Sequence, residues 1–178
     1  MTKENRQKGL TIVELVVVIG IMVVMLAAIG ISLNTIFYNK TKAAARNIYN
    51  MLGTAQTLGM SKNNVYFGIE NTTDGYNVFV ATSTDGGNTY TKIEEKSLGN
   101  KMEINAYGSG WSMSFAVGNG GVGAFLIPID RTTGGFKNTI THIAGPHETS
   151  PCTSIKVGTG SNQYTIILVP QTGKFYYE

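Results

Sequence analysis

One stretch of this 178-residue chain limits its fold more than any other. From Leu10 to Ile31 the only strongly polar side chains are Thr11 and Glu14. At about 1.5 Å per helical residue such a run covers roughly 33 Å, enough for a bilayer core of about 30 Å. A carboxylate inside it is costly unless it finds a partner, so Glu14 is a functional candidate by default. Ahead of the run stands a short leader, Met1–Gly9, with Lys3, Arg6 and Lys8. Its positive charge favours a cytoplasmic N-terminus, although Lys40, Lys42 and Arg46 beyond the run weaken the bias.

Two simple readings leave something unexplained. A secretory signal peptide could be cut after Ala28-Ile29-Gly30, but its apolar core is normally about 7–15 residues long and free of acids. A plain signal anchor accounts for the length and not for Glu14. A third reading accounts for leader, Gly9, length and acid together. The basic leader ending in glycine, the hydrophobic residue after it and a Glu at the fifth position beyond the cut resemble the type IV pilin and pseudopilin family. That resemblance implies cleavage between Gly9 and Leu10 by a prepilin peptidase, methylation of the new Leu10 amine, and a role for Glu14 in assembly. The family usually has Phe where Leu10 stands. The implied partners are the peptidase, other pilin or pseudopilin subunits, an assembly-platform membrane protein, and membrane lipid before assembly.

Beyond the apolar run the pattern becomes amphipathic. Ile36, Phe37, Ala44, Ile48, Met51, Leu52, Ala55 and Leu58 recur near helical spacing. The spacing predicts one helix from about Leu10 to about Met60, ended by Gly59 and the Ser61–Asn64 cluster. From Asn64 onward the chain reads as strands and turns. Val65, Phe67 and Ile69 alternate with Tyr66, Gly68 and Glu70, and Asp85-Gly86-Gly87-Asn88 marks a hairpin. Further strands are expected near 76–81, 90–94, 101–106, 112–117, 123–127, 139–143, 154–157, 164–169 and 175–177. The expected fold class is α+β: a long N-terminal helix, membrane-spanning in its first half and amphipathic in its second, packed on an antiparallel sheet domain. The expected organisation is leader 1–9, membrane or filament-core helix 10–33, and an exported globular domain 34–178. The end of the chain, Tyr164–Val169 followed by Pro170-Gln171-Thr172-Gly173-Lys174-Phe175, resembles that of the H-type (FimT-like) minor pseudopilins.

Little in the sequence points to catalysis or to a cofactor. A net charge of +3 sets up no strongly basic field, and the tail Lys174–Glu178 has one lysine and an acid, so nucleic-acid binding is not expected. The single cysteine, Cys152, cannot form an internal disulfide. His142, His147, Glu148 and Cys152 are metal-capable, but their spacing fits no zinc motif, and an exposed loop is the simpler reading. Asp85, Asn88 and Asp130 could offer oxygens to calcium but do not form a clustered acidic loop. The expectation is a structural subunit without metal or cofactor, a substrate of an enzyme rather than an enzyme. A major pilin, or a membrane-anchored adhesin or binding module, is the alternative.

Overall fold

The computed structural model of the chain describes residues 11–100, 102–115, 123–141, 147–160 and 162–178, with backbone only for 28–37, 141, 147 and 148. Helix α1 runs Ile12–Ser61 and ten strands follow: β1 Val65–Thr72, β2 Gly75–Thr82, β3 Thr91–Gly99, β4 Ile104–Gly108, β5 Trp111–Phe115, β6 Ala124–Pro128, β7 Asn138–Thr141, β8 His147–Thr159, β9 Asn162–Val169 and β10 Lys174–Tyr177. The class is therefore α+β, with every strand pair antiparallel. The chain divides into two compact units, Met1–Phe37 and Tyr38–Glu178.

In the second unit the strand order is β10-β9-β8-β7-β6-β1-β2-β3, with β4 joining β8 and carrying β5. Strand β8 serves two arms. Its first part, His147–Pro151, pairs with β7, while Ser154–Thr159 pairs with β9. Proline cannot donate to a ladder and is found at edges or irregularities. Pro151 accordingly sits opposite Asn138, where the β7–β8 register shifts.

One face of α1 closes the main core. Thr41, Ala44, Ala45, Ile48, Met51, Leu52 and Ala55 are buried, three or four residues apart, as a single helix face requires. They pack with Val65, Phe67 and Ile69 of β1, Val78 and Val80 of β2, Ile155 and Val157 of β8, and Ile166 and Leu168 of β9. Each large aliphatic side chain so buried contributes about 1.5–3 kcal/mol. Gln56 ties the helix to two turns, its Nε2 donating to the carbonyls of Gly134 and Gly173 at 3.0 Å each.

Three expectations need correction. Gly59 does not end the helix; it lies buried inside it, and a Cβ there would stand 2.5 Å from Ile129 Cγ2. The helix ends at Ser61, within the expected Ser61–Asn64 cluster, and Asn64, at φ 56°, a left-handed conformation that asparagine tolerates, leads into β1. The alternation in β1 does not separate a wet face from a dry one, because both faces are buried. Tyr66 joins Phe79, Ala81 and Leu126 in a second, smaller core on the reverse side, flanked by Tyr90 and Ile140. The β2–β3 loop reaches this core: Gly87 is buried at φ +94°, where a Cβ would meet Ile140 Cδ1 at 2.8 Å. The stretch read as an exposed loop before residue 154 is mostly strand, since β8 already begins at His147, and Cys152 is fully buried in it. Among the described residues no helix is long and apolar enough to cross a membrane, and these include only part of the expected segment 10–33.

Candidate functional site

The N-terminal segment is built around Thr11 and Glu14. Thr11 stands just before the first helical residue, Ile12, and its carbonyl accepts the first helical hydrogen bond from Leu15 N at 3.1 Å. Glu14 N donates to Thr11 Oγ1 at 3.2 Å. In return Thr11 N and Thr11 Oγ1 donate to Glu14 Oε2 at 2.9 and 3.0 Å. This reciprocal pattern is a capping box, which satisfies amides that otherwise lack partners at a helix start and places a negative charge at the positive end of the helix dipole. Glu14, expected as an acid in need of an external partner, thus has an internal one in Thr11. The spacing Thr-x-x-Glu ahead of an apolar run was the available signal.

The helix that this cap starts is apolar around its whole circumference. Exposure of its large side chains from Ile12 to Leu26 lies between 43% at Val18 and 82% at Ile12. A helix without a polar face is covered in its working state by lipid or by other helices. The part with described side chains, Thr11–Ala27, is roughly 25 Å long at about 1.5 Å per residue, short of a bilayer core of about 30 Å. The expected segment 10–33 extends beyond it at both ends. Gly9 and Leu10, the expected cleavage pair, lie outside the described residues.

Other candidate residues are accounted for by local structure. Asp85 accepts hydrogen bonds from Thr89 N at 2.9 Å, Thr89 Oγ1 at 2.6 Å and Ser83 Oγ at 2.8 Å. These bonds, the Thr89 ones foremost, hold its carboxyl down at about 2. Asn88 points its Nδ2 to the Asp85 carbonyl at 2.8 Å. Asp130 closes another turn by accepting from Thr132 Oγ1 at 2.6 Å and Thr132 N at 2.8 Å, and these bonds lower its pKa. Both carboxylates thus organise their own loops. Burial pushes the Cys152 thiol up to about 12, which suppresses the thiolate that a metal or an electrophile would need. His142 lies outside the described residues, and His147 and Glu148 are described as β8 backbone alone. Among the described residues no group of three or more His, Cys, Asp or Glu could hold a metal ion. An open cleft of about 450 Å³ lies between the turns around Asp130 and Pro170, lined by Phe136, Lys137, Pro151 and Thr153 among others.

Comparison with known proteins bears on the N-terminal segment. A family model described as the prokaryotic N-terminal methylation motif matches residues 5–30. The chain carries a prepilin-type motif. That motif implies processing by a prepilin peptidase and assembly with other pilin-type subunits. It covers the expected cleavage pair and Glu14 and ends at residue 30, so it does not reach the β domain. No curated protein and no solved structure matches the chain.

Proposed function

We propose that this chain is a structural subunit, of the minor pilin or pseudopilin kind, of a type IV pilus-like or type II secretion filament. The observation that carries the reading is the methylation motif over residues 5–30, whose part from Ile12 onward lies in α1, with the large apolar side chains from Ile12 to Leu26 exposed all round. In the reading, residues 10–33 anchor the chain in the cytoplasmic membrane, the N-terminus facing the cytoplasm. The peptidase cuts after Gly9 and methylates Leu10. The anchor then leaves the lipid for the dry core of a filament, so its apolar surface avoids water in both states.

Glu14 has a double part in this account. Its Oε2 takes both Thr11 donors, which fixes the carboxylate in the first turn of α1. A carboxylate accepts about four hydrogen bonds, so Oε1 can still receive the Leu10 amine of a neighbouring subunit. Such a contact would set register between subunits rather than add much stability. Replacing Glu14 by Ala should therefore leave cleavage intact and lower incorporation into filaments.

Co-expression with a prepilin peptidase tests the reading. Intact-mass analysis of the membrane-extracted protein should give residues 10–178 plus one methyl group. Gly9→Val should leave the chain full length, because a branched side chain does not fit a site that takes glycine. A mature chain beginning at Ile31 would instead point to conventional signal peptidase and overturn the proposal.

A further inference from the structure

The part of α1 that packs on the sheet has a second face that the core does not use. Taking about 100° per residue, the buried residues Thr41, Ala44, Ile48, Met51, Leu52 and Ala55 occupy one side. The remaining arc carries Tyr38, Asn39, Lys40, Lys42, Ala43 and Arg46. Its charges are of one sign, and α1 contains no Asp or Glu beyond Glu14. Among the described residues the ion pairs are made by Lys92 and Lys137, and Lys40, Lys42 and Arg46 take part in none. Tyr38 is 41% exposed, with Lys42 Nζ 6.0 Å from its ring centroid and the Tyr164 ring at 6.0 Å. An aromatic ring with a polar tip beside unpaired cations is the composition found at a membrane–water boundary.

The position in the chain adds a second argument. Tyr38 follows the expected anchor, 10–33, by five residues. That chain distance is comparable with the headgroup layer, roughly 5–8 Å on each side of the hydrocarbon. Long basic side chains reach back toward phosphates from a little further out, which brings in Lys40 and Lys42, whereas Arg46, thirteen residues past the anchor and roughly 20 Å of helix away, lies beyond that reach. We propose that the Tyr38–Lys42 part of this arc of α1 binds anionic lipid headgroups while the subunit waits in the membrane. The proposal rests on the anchor assigned under Proposed function. It adds a consequence: moving into a filament exchanges a lipid contact for protein contacts, so anionic lipid holds the unassembled pool in place.

The test uses the mature chain, residues 10–178, reconstituted in phosphatidylcholine vesicles with and without phosphatidylglycerol. A polarity-sensitive label is placed on Asn39→Cys, between the two lysines around the helix, or on Lys62→Cys just past the far end of α1, with Cys152 replaced by Ala. Quenching by headgroup spin-labelled lipid reports contact. The Asn39→Cys label should be quenched in phosphatidylglycerol vesicles several-fold more than in phosphatidylcholine alone, and the Lys62→Cys label in neither. Lys40→Gln and Lys42→Gln should each lower the bound-to-unbound ratio about fivefold, Arg46→Gln distinctly less, and added salt should act as the lysine changes do. Equal quenching in both vesicle types, or none, in a chain that resists carbonate extraction overturns the lipid contact and leaves the anchor standing. Protection that grows with the number of chains per vesicle would assign the arc to a second copy and overturn it as well. A chain that carbonate strips from both vesicle types refutes the anchor, and the proposal falls with it.

Discussion

Two stretches of one helix behave in opposite ways. From Ile12 to Leu26, large apolar side chains are exposed on every side. From Thr41 to Ala55 the buried residues keep to one face and are covered by the chain's own sheet. Helical propensity does not separate the two, since both are regular α-helix. The separation lies in where the covering surface comes from. The second stretch finds it within the chain, through a narrow stripe interrupted by polar residues. The first has no polar face to turn toward water, so its cover has to come from lipid or from neighbouring helices. This contrast divides the molecule into a self-sufficient domain and a segment that depends on its surroundings.

The sharpest way to break the contrast is a matched pair of truncations. Leu52 is fully buried and Leu26 is 68% exposed. Leu52→Ala should cost about 2–5 kcal/mol of domain stability, and Leu26→Ala less than about 0.5 kcal/mol, by denaturant unfolding of the detergent-solubilised chain. Similar losses at both sites would mean that the first stretch is packed against its own chain.

Glycines give a second, smaller pair. A methyl group at Gly59 would meet Ile129 Cγ2 at 2.5 Å, whereas at Gly20 nothing lies within 4 Å. Gly59→Ala should destabilise the domain by about 1–3 kcal/mol through overpacking. Gly20→Ala should stabilise the isolated helix by about 1 kcal/mol. If Gly20→Ala also impairs assembly, the space around Gly20 is filled by a helix from another subunit. Thermal melts and filament yield distinguish the two effects.

These pairs also mark what could be read from the sequence. The helix, the β character after Asn64 and most strand positions follow from periodicity, because each periodic stripe corresponds to one buried face. The Glu14 site was legible too, yet only half of it was read: Thr11 three residues earlier completes a cap. Other features depend on contacts distant in sequence. Gly59 resembles a helix terminator, and only Ile129, seventy positions away in sequence, shows that it is a close-packing site. Burial of both faces of β1 depends on Leu126 and on the returning β2–β3 loop, neither of which a local alternation can report. The run through His147 to Cys152 lacks strand periodicity because Pro151 and a register shift interrupt it as β8 passes from one arm to the other.

The smallest expected effect concerns the loop that covers the second core. Asp85 is held at about 2, below the ordinary Asp value of about 3.9. Its hydrogen bonds to Thr89 therefore support the loop fully above about pH 4 and are lost as pH falls through about 2. Amide exchange at Thr89, relative to its intrinsic rate at each pH, should accelerate as pH falls across that window. Asp85→Asn should remove most of the pH dependence while leaving the β1–β2 amides unchanged. Flat exchange at Thr89 in the wild-type chain would show that the carboxylate does not hold this loop.

The most direct test removes the dependent segment and keeps the other. A chain beginning at Thr35 should be monomeric in plain buffer, melt cooperatively and retain its β signature by circular dichroism. The chain beginning at Leu10 should require detergent or lipid and resist carbonate extraction from membranes. A Thr35 chain that aggregates, alongside a Leu10 chain that stays soluble without detergent, would contradict the division of α1 into a self-covered and an externally covered half.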